Sequence, residues 1–369
     1  MIVASMSTIP IRKETFKQTA RSILDEQTCP VDCLHVYLYG YAEIPSDIPQ
    51  NPRVRYHLEY PTAGPWARYL VADTLQDNDY LVTLDDDMLY PSNYVETGLR
   101  ELEHLGLKAM ACFAGIRWDP LLDHFSYSND RWQSLPETAL DVPHRAALPT
   151  GITSFFHASA VRGAIAFPVA GFHTNDDMMI GYALQKREIK IWCCPKPALW
   201  IRELETSRAP HALFRKDIKT RHLAFHQMVT RLGFDPTAGR LAEILAKPKR
   251  ILVLADVCPP LDGSEQLDAS LRQLCADDAS VHLLASVPAS QVGRVQQHVN
   301  TPYEIHAVSV PEPGGRFEQM LPVREWRTWR VTQIRRKTWK SRVKIAISML
   351  KPTRVLHYNQ AILVPLASH

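Results

Sequence analysis

Paired cysteines are missing from this sequence. Its seven cysteines, Cys29, Cys33, Cys112, Cys193, Cys194, Cys258 and Cys275, are odd in number and contain no Cys-x-x-Cys spacing. That argues against a disulfide framework and against a structural zinc site. Long apolar runs are missing too: nothing approaches the ~18 residues of a spanning helix. Arg12 and Lys13 come too early for a signal-peptide apolar region, so the expected compartment is a reducing cytoplasm. Charge of one sign is scarce. A net charge of +3 over 369 residues does not make a nucleic-acid binder, and 46% hydrophobic with 22% charged residues excludes disorder. No internal repeat or low-complexity tract interrupts the chain, and its length predicts about two domains.

The pattern that is present alternates strands and helices. Ile2 to Ser5 reads as a strand, and Glu14 to Gln27 as an amphipathic helix through Phe16, Ala20, Ile23 and Leu24. Strands are expected at Leu34 to Leu38, Arg53 to Tyr56 and Tyr80 to Leu84, with a helix from Trp66 to Leu75. This order predicts an α/β domain with a mainly parallel sheet, whose ligands bind beyond the carboxyl ends of the strands. From Ala109 the pattern loosens into proline-containing loops, until a helix over Asp177 to Lys186, a strand over Ile189 to Cys193 and helices over Lys216 to Leu232 close a first domain, 1–245. The chain restarts at Arg250 to Asp256, a buried-strand pattern. A helix through Leu267, Leu271 and Leu274 follows, then strands at Val281 to Val287, Tyr303 to Val310 and Val355 to Tyr358. A second, smaller α/β domain over 250–369 is expected, and its size suggests that it is incomplete.

Chemistry concentrates at two acidic clusters. Asp85, Asp86 and Asp87 follow the apolar strand directly, and like charges at that spacing conflict unless a cation neutralises them. Hard carboxylate oxygens suit Mg²⁺ or Mn²⁺; strand geometry, if it persists, turns Asp85 and Asp87 to one side and Asp86 to the other. The bland alternative is an acidic exposed turn. Asp176 and Asp177 open the later helix, where one could merely serve its N-terminus and the other act as a general base. Arg12 and Arg68 are either surface cations or phosphate partners. Gly151 could admit a ligand close to the backbone or simply form a turn. His222 and His226, four residues apart, share a helix face.

In this order, Ser7-Thr8-Ile9-Pro10-Ile11-Arg12, Ala63-Gly64-Pro65-Trp66-Ala67-Arg68, Leu84-Asp85-Asp86-Asp87 and Asn175-Asp176-Asp177 resemble the GT-A glycosyltransferases of the family-2 type over about two thirds of the chain. The resemblance implies a nucleotide-sugar site at Ser7, Thr8, Pro10, Arg12, Arg68, Asp85 and Asp86. It also implies a metal at Asp87 and Asp85, and a catalytic base at Asp176 or Asp177. Several GT-A families use a late histidine as a further metal ligand, which nominates His211, His222 or His226; His173 would belong to the acceptor site. Ile251 to Asp256 with Pro259-Pro260-Leu261-Asp262-Gly263-Ser264 is similar to the start of GT-B glycosyltransferases, implying a Rossmann-like second unit without its donor-binding half.

The expected activity is transfer of a sugar from a nucleotide-diphosphate donor to a glycan or lipid-linked glycan hydroxyl, with inversion, in bacterial surface polysaccharide synthesis. Two rivals stay open: a nucleotidyltransferase, although Ser5 to Arg12 contains no glycine for a phosphate loop, and a non-catalytic glycan-binding scaffold. A basic stretch, Arg324 to Lys351, interleaves Trp326, Trp329 and Trp339 with cations. It is expected to lie on an anionic membrane surface at the inner face rather than to bind nucleic acid, a solvated helix being the alternative.

Overall fold

Strand β1, Ile2–Thr8, is buried on both sides because its apolar residues pack in both directions, as a central strand must. The computed structural model containing it describes residues 1–58, 64–120, 125, 127, 131–150, 153–163, 175–204, 218–247, 249–255, 265–276, 280–288, 304–310, 339, 341–352, 354–359 and 362–365. Two compact units emerge. The first comprises Met1–Arg117, Ser126–Asn129 and Gln133–Ala238; the second Trp118–Phe125, Asp130–Trp132 and Gly239–His369.

After β1 the strands are β2 (Cys33–Leu38), β3 (Val54–His57), β4 (Tyr80–Leu84), β5 (Met88–Leu89), β6 (Ala109–Cys112), β7 (Gly115–Trp118), β8 (Arg131–Ser134), β9 (His144–Ala146), β10 (Leu148–Pro149), β11 (Thr153–His157), β12 (Lys190–Cys193) and β13 (Arg202–Glu203). The main sheet of the first unit runs β3-β2-β1-β4-β11-β6-β12-β9. Its first four strands are parallel, but β11 is antiparallel to both β4 and β6, and β9 is antiparallel to β12. With β12 again parallel to β6, the sheet is mixed, its antiparallel pairings confined to β11 and β9. The stretch after Ala109 is richer in strands than its prolines suggest, because Thr153–His157, buried at every residue, pairs on both edges.

The helix Lys13–Leu24 buries Phe16, Ala20, Ile23 and Leu24, the face read from the sequence. Gly64–Thr74 differs from the expected regular helix: it winds as 3-10 turns and carries Trp66, Arg68 and Tyr69 inward. The helix Asp176–Lys186 packs so closely on the chain at Ala147 and Leu148 that a Cβ on Gly181 would meet the Ala147 carbonyl oxygen at 3.0 Å.

In the second unit β14 (Arg250–Ala255) lies between β15 (Ser280–Pro288) and β17 (Arg354–Asn359), with β16 (Glu304–Val310) beyond β15 and β18 (Ile362–Pro365) antiparallel on β17. Alternate residues of β14 feed two cores. Ile251, Val253 and Ala255 meet Leu267 and Leu271, while Leu252 and Leu254 meet Ile244, Ala346 and Leu350. Trp339, half-buried, packs against the second of these cores; residues 324–338 and 340 lie outside the described residues.

Candidate functional site

Register places the site. Met6 of β1 pairs with Leu84, the last residue of β4, so Ser7 and Thr8 stand beside the chain leaving β4 as Asp85-Asp86-Asp87. Strand order reverses here, with β2 and β3 on one side of β1 and β4 on the other, and such a reversal opens a crevice at the carboxyl ends.

Strand geometry ends at Leu84, so the alternation expected for the three aspartates does not hold. Asp86 and Asp87 form a turn into β5 and share one partner: Arg12 Nη1 lies 2.9 Å from Asp86 Oδ1, and Arg12 Nη2 lies 2.9 Å from Asp87 Oδ2. The turn is held from three sides. Thr19 Oγ1 donates to the Met88 carbonyl at 2.7 Å, the Leu204 amide donates to the Asp87 carbonyl at 2.7 Å, and the Asp85 amide donates to Tyr90 Oη at 3.0 Å.

Arg68 joins the two acidic clusters. Its Nη1 donates to Asp85 Oδ1 and, at 2.9 Å, to the Leu84 carbonyl; its Nε donates to the Pro65 carbonyl at 2.9 Å and pairs with Asp176 Oδ2 at 3.4 Å. Only 5% of the Arg68 side chain is exposed, against 22% for Arg12. Arg68 is thus a buried brace and Arg12 the more accessible cation. The helix cap is Asn175, whose carbonyl receives the Met178 and Met179 amides at 3.1 Å, so Asp176 and Asp177 both occupy the first turn and neither is the cap residue. Ser7 Oγ donates to the Pro65 carbonyl at 3.3 Å, Thr8 is buried, and Pro10 is exposed in the 3-10 turn leading to Arg12.

The electrostatics follow from burial. Asp87 is pushed up to about 8 by loss of solvent, reinforced by the Asp85 charge. Asp177 is raised to about 7 by burial and then by Asp176. Burial likewise raises Asp86 and Asp176 against the pull of Arg12 and Arg68. Desolvation opposes the charge on Arg12 and Arg68, yet the facing aspartates win and hold both above the ordinary guanidinium range.

The five carboxylates of Asp85, Asp86, Asp87, Asp176 and Asp177 face the guanidinium groups of Arg12, Arg68 and Arg221, a deficit of two positive charges if all are ionised. A divalent cation at Asp85 and Asp87 would make up that deficit. Among the described residues no three His, Cys, Asp or Glu side chains converge as a metal-binding group. The protein's share would then be two carboxylates, hard oxygen donors of the kind Mg²⁺ takes.

Three neighbours of these aspartates have no local sequence signal. Arg221, from the helix Ile218–Arg231, donates to Tyr127 Oη at 3.3 Å and acts on the charge of Asp177; Glu203, paired opposite Met88, acts on Asp87; Tyr90 caps the Asp85 amide. His222 meets the Tyr127 ring edge-on at 6.0 Å and His226 is exposed. His211, His173, Gly151 and Ala63 lie outside the described residues.

No protein-family model matches the sequence, and no curated protein matches it. Among solved structures the chain is similar to the galactosyltransferase LgtC in complex with donor and acceptor sugar analogues, at 12% identity and a TM-score of 0.31, over 52% of this chain and 72% of that one. It is also similar to an active-site mutant of LgtC, at 12% identity and a TM-score of 0.26, over 44% of this chain and 59% of that one. Likeness at this level identifies neither a family nor an activity.

Proposed function

We propose that the first unit is a glycosyltransferase that moves a sugar from a nucleotide-diphosphate donor to a glycan hydroxyl with the help of Mn²⁺ or Mg²⁺. The observation that carries this reading is the meeting of Asp85–Asp87 with Asp176–Asp177 around Arg68 at the carboxyl-end crevice, more carboxyl groups than the guanidinium groups that face them. Ser7, Thr8 and Pro10 line the nucleotide side, and Arg12, the less buried arginine, exchanges Asp86 and Asp87 for diphosphate oxygens. Arg68 holds Asp85 and Asp176 at a fixed spacing. A cation held by Asp85 and Asp87 supplies Lewis-acid stabilisation of the departing diphosphate. Asp177, with a pKa near neutrality, takes the proton of the acceptor hydroxyl, and Asp176 is the alternative base. Direct displacement by that hydroxyl inverts the sugar carbon.

The acceptor class is a lipid-linked bacterial polysaccharide, approached at the inner membrane face through Arg324 to Lys351. The second unit is a GT-B-like, Rossmann-type domain. The decisive experiment is a panel of sugar nucleotides scored for thermal stabilisation with and without Mn²⁺, followed by release of nucleoside diphosphate. Metal-dependent stabilisation by one nucleotide family, with turnover, supports the transferase; stabilisation without release would leave a scaffold, and pyrophosphate release would mean a nucleotidyltransferase.

A further inference from the structure

At the amino ends of β1 and β2 the first unit is hollowed by a cavity of about 380 Å³. Val3 pairs with Cys33 across β1 and β2, and His35 pairs with Arg55 across β2 and β3; Val71, Thr74 and Leu75 line the cavity from the 3-10 stretch. Val3 and Ser7 are four residue steps apart along β1, about 13 Å of extended chain, so this wall is distinct from the aspartate cluster.

The charged groups here are unequally satisfied. Asp32 Oδ2 accepts the Ile2 amide at 2.7 Å, and Asp79 Oδ2 accepts the Gln76 amide at 2.7 Å. Arg53 is spent on the carbonyls of Val31 and Leu24, with Asp25 at 3.8 Å. Arg55 donates to the neutral carbonyls of Pro52 at 2.8 Å and Val54 at 3.3 Å, and among the described residues no carboxylate pairs with it. His35 Nδ1 is engaged by His57 Nε2 at 3.0 Å, and the His57 ring stacks on Tyr37 with centroids 4.5 Å apart. Burial, then His57 and Arg55, lowers His35 to about 4, so its ring is neutral near pH 7. In the tautomer in which His57 donates, His35 carries its own proton on Nε2, as a donor.

We propose that this cavity binds a small oxyanion, a phosphate or carboxylate group, between the Arg55 guanidinium and the His35 imidazole. A guanidinium fork is well matched to either group, and the volume admits a ligand of metabolite size. The test is ¹⁵N-resolved spectroscopy of the histidine rings in the full chain at neutral pH and fixed ionic strength. Inorganic phosphate is titrated in one arm and succinate in another. Saturable shifts of the His35 signals with either anion, weakened on the order of tenfold in Arg55→Gln, support the site and show which chemistry it takes. Non-saturating shifts with both anions, or equal affinity in Arg55→Gln, would overturn it. Arg55 is exposed, so its substitution leaves the fold in place. None of the residues involved belongs to the aspartate cluster, so failure here says nothing about the transferase reading.

Discussion

Each unit buries a polar string, and the two are built oppositely. In the second, Ser280 Oγ meets His282 Nε2 at 2.7 Å, His282 Nδ1 meets His306 Nε2 at 3.0 Å, and His306 Nδ1 meets Asp119 Oδ1 at 2.8 Å. Burial, then His306 and Arg240, lowers His282 far below the usual imidazole range, so that ring stays neutral. Each hydrogen bond hands on to the next, an arrangement that adds specificity to the packing of β15 on β16. In the first unit five carboxylates crowd three guanidinium groups, and burial drives several of the acids towards protonation. One string is a chain of neutral and singly charged groups linked end to end; the other sets more acids than bases side by side at strand ends, which is the feature the proposed donor site rests on.

The largest expected effect tests the acid-rich side. Asp87→Ala should remove metal-dependent release of nucleoside diphosphate, a fall of about a thousandfold or more, since Lewis-acid stabilisation is worth several kcal/mol. The protein should remain folded, because one of several repelling acids is gone. Isothermal titration with a sugar nucleotide and Mn²⁺ is the check; retained affinity would count against Asp87 as a ligand.

Next in size is the base. Asp177→Asn should lower kcat by roughly 10²–10⁴ with donor affinity nearly intact, because a general base acts on the acceptor in the transition state. Asp176→Asn should also disturb Arg68, and through it Asp85, so its donor affinity should weaken as well. If both variants keep more than about a tenth of wild-type kcat, neither aspartate is the base.

The histidine string should respond in stability alone. Removing the middle of the string with His306→Leu takes one hydrogen bond each from His282 and Asp119, which costs about 0.5–1.5 kcal/mol per lost bond. Urea unfolding of the second unit's transition measures that loss. Turnover by the first unit should be unchanged, and a parallel loss of turnover would break the contrast between the two strings.

How much of this was legible in the sequence depends on the range of the interaction. The inward face of Lys13–Leu24 and the run from Tyr80–Leu84 into three aspartates are local patterns, and both are where periodicity places them. Gly64–Thr74 has the composition of a helix but tightens into 3-10 turns, with Arg68 reaching the Pro65 carbonyl three residues back. The antiparallel β11 was not legible, since Thr153–His157 is a short, fully buried run whose direction is set by its partners β4 and β6. Arg221 is one cation among many in its own helix, and only the fold brings it to Asp177.

The smallest effect is one of pH on stability, and it sharpens the contrast through its sign. Asp177 has a folded pKa of about 7 against an ordinary carboxyl value of 3.8, so the folded chain holds the proton more tightly than the unfolded one. Between those values stability must fall as pH rises, the reverse of an ion-paired aspartate. His35, lowered to about 4, acts with the opposite sign but has finished by about pH 6.5, its unfolded value. The wild type should therefore lose stability as pH rises from about 6.5 towards the folded Asp177 value of about 7, and Asp177→Asn, which cannot ionise, should lose less there; any further loss up to about pH 8 belongs to Asp87 and is common to both proteins. The difference in midpoint should be on the order of 2–4 °C for each kcal/mol removed. Thermal melts of the two proteins across that range, without added metal, give the comparison. Equal slopes would mean that Asp177 is ionised in the folded chain at neutral pH, with its charge already balanced by Arg221 and Arg68.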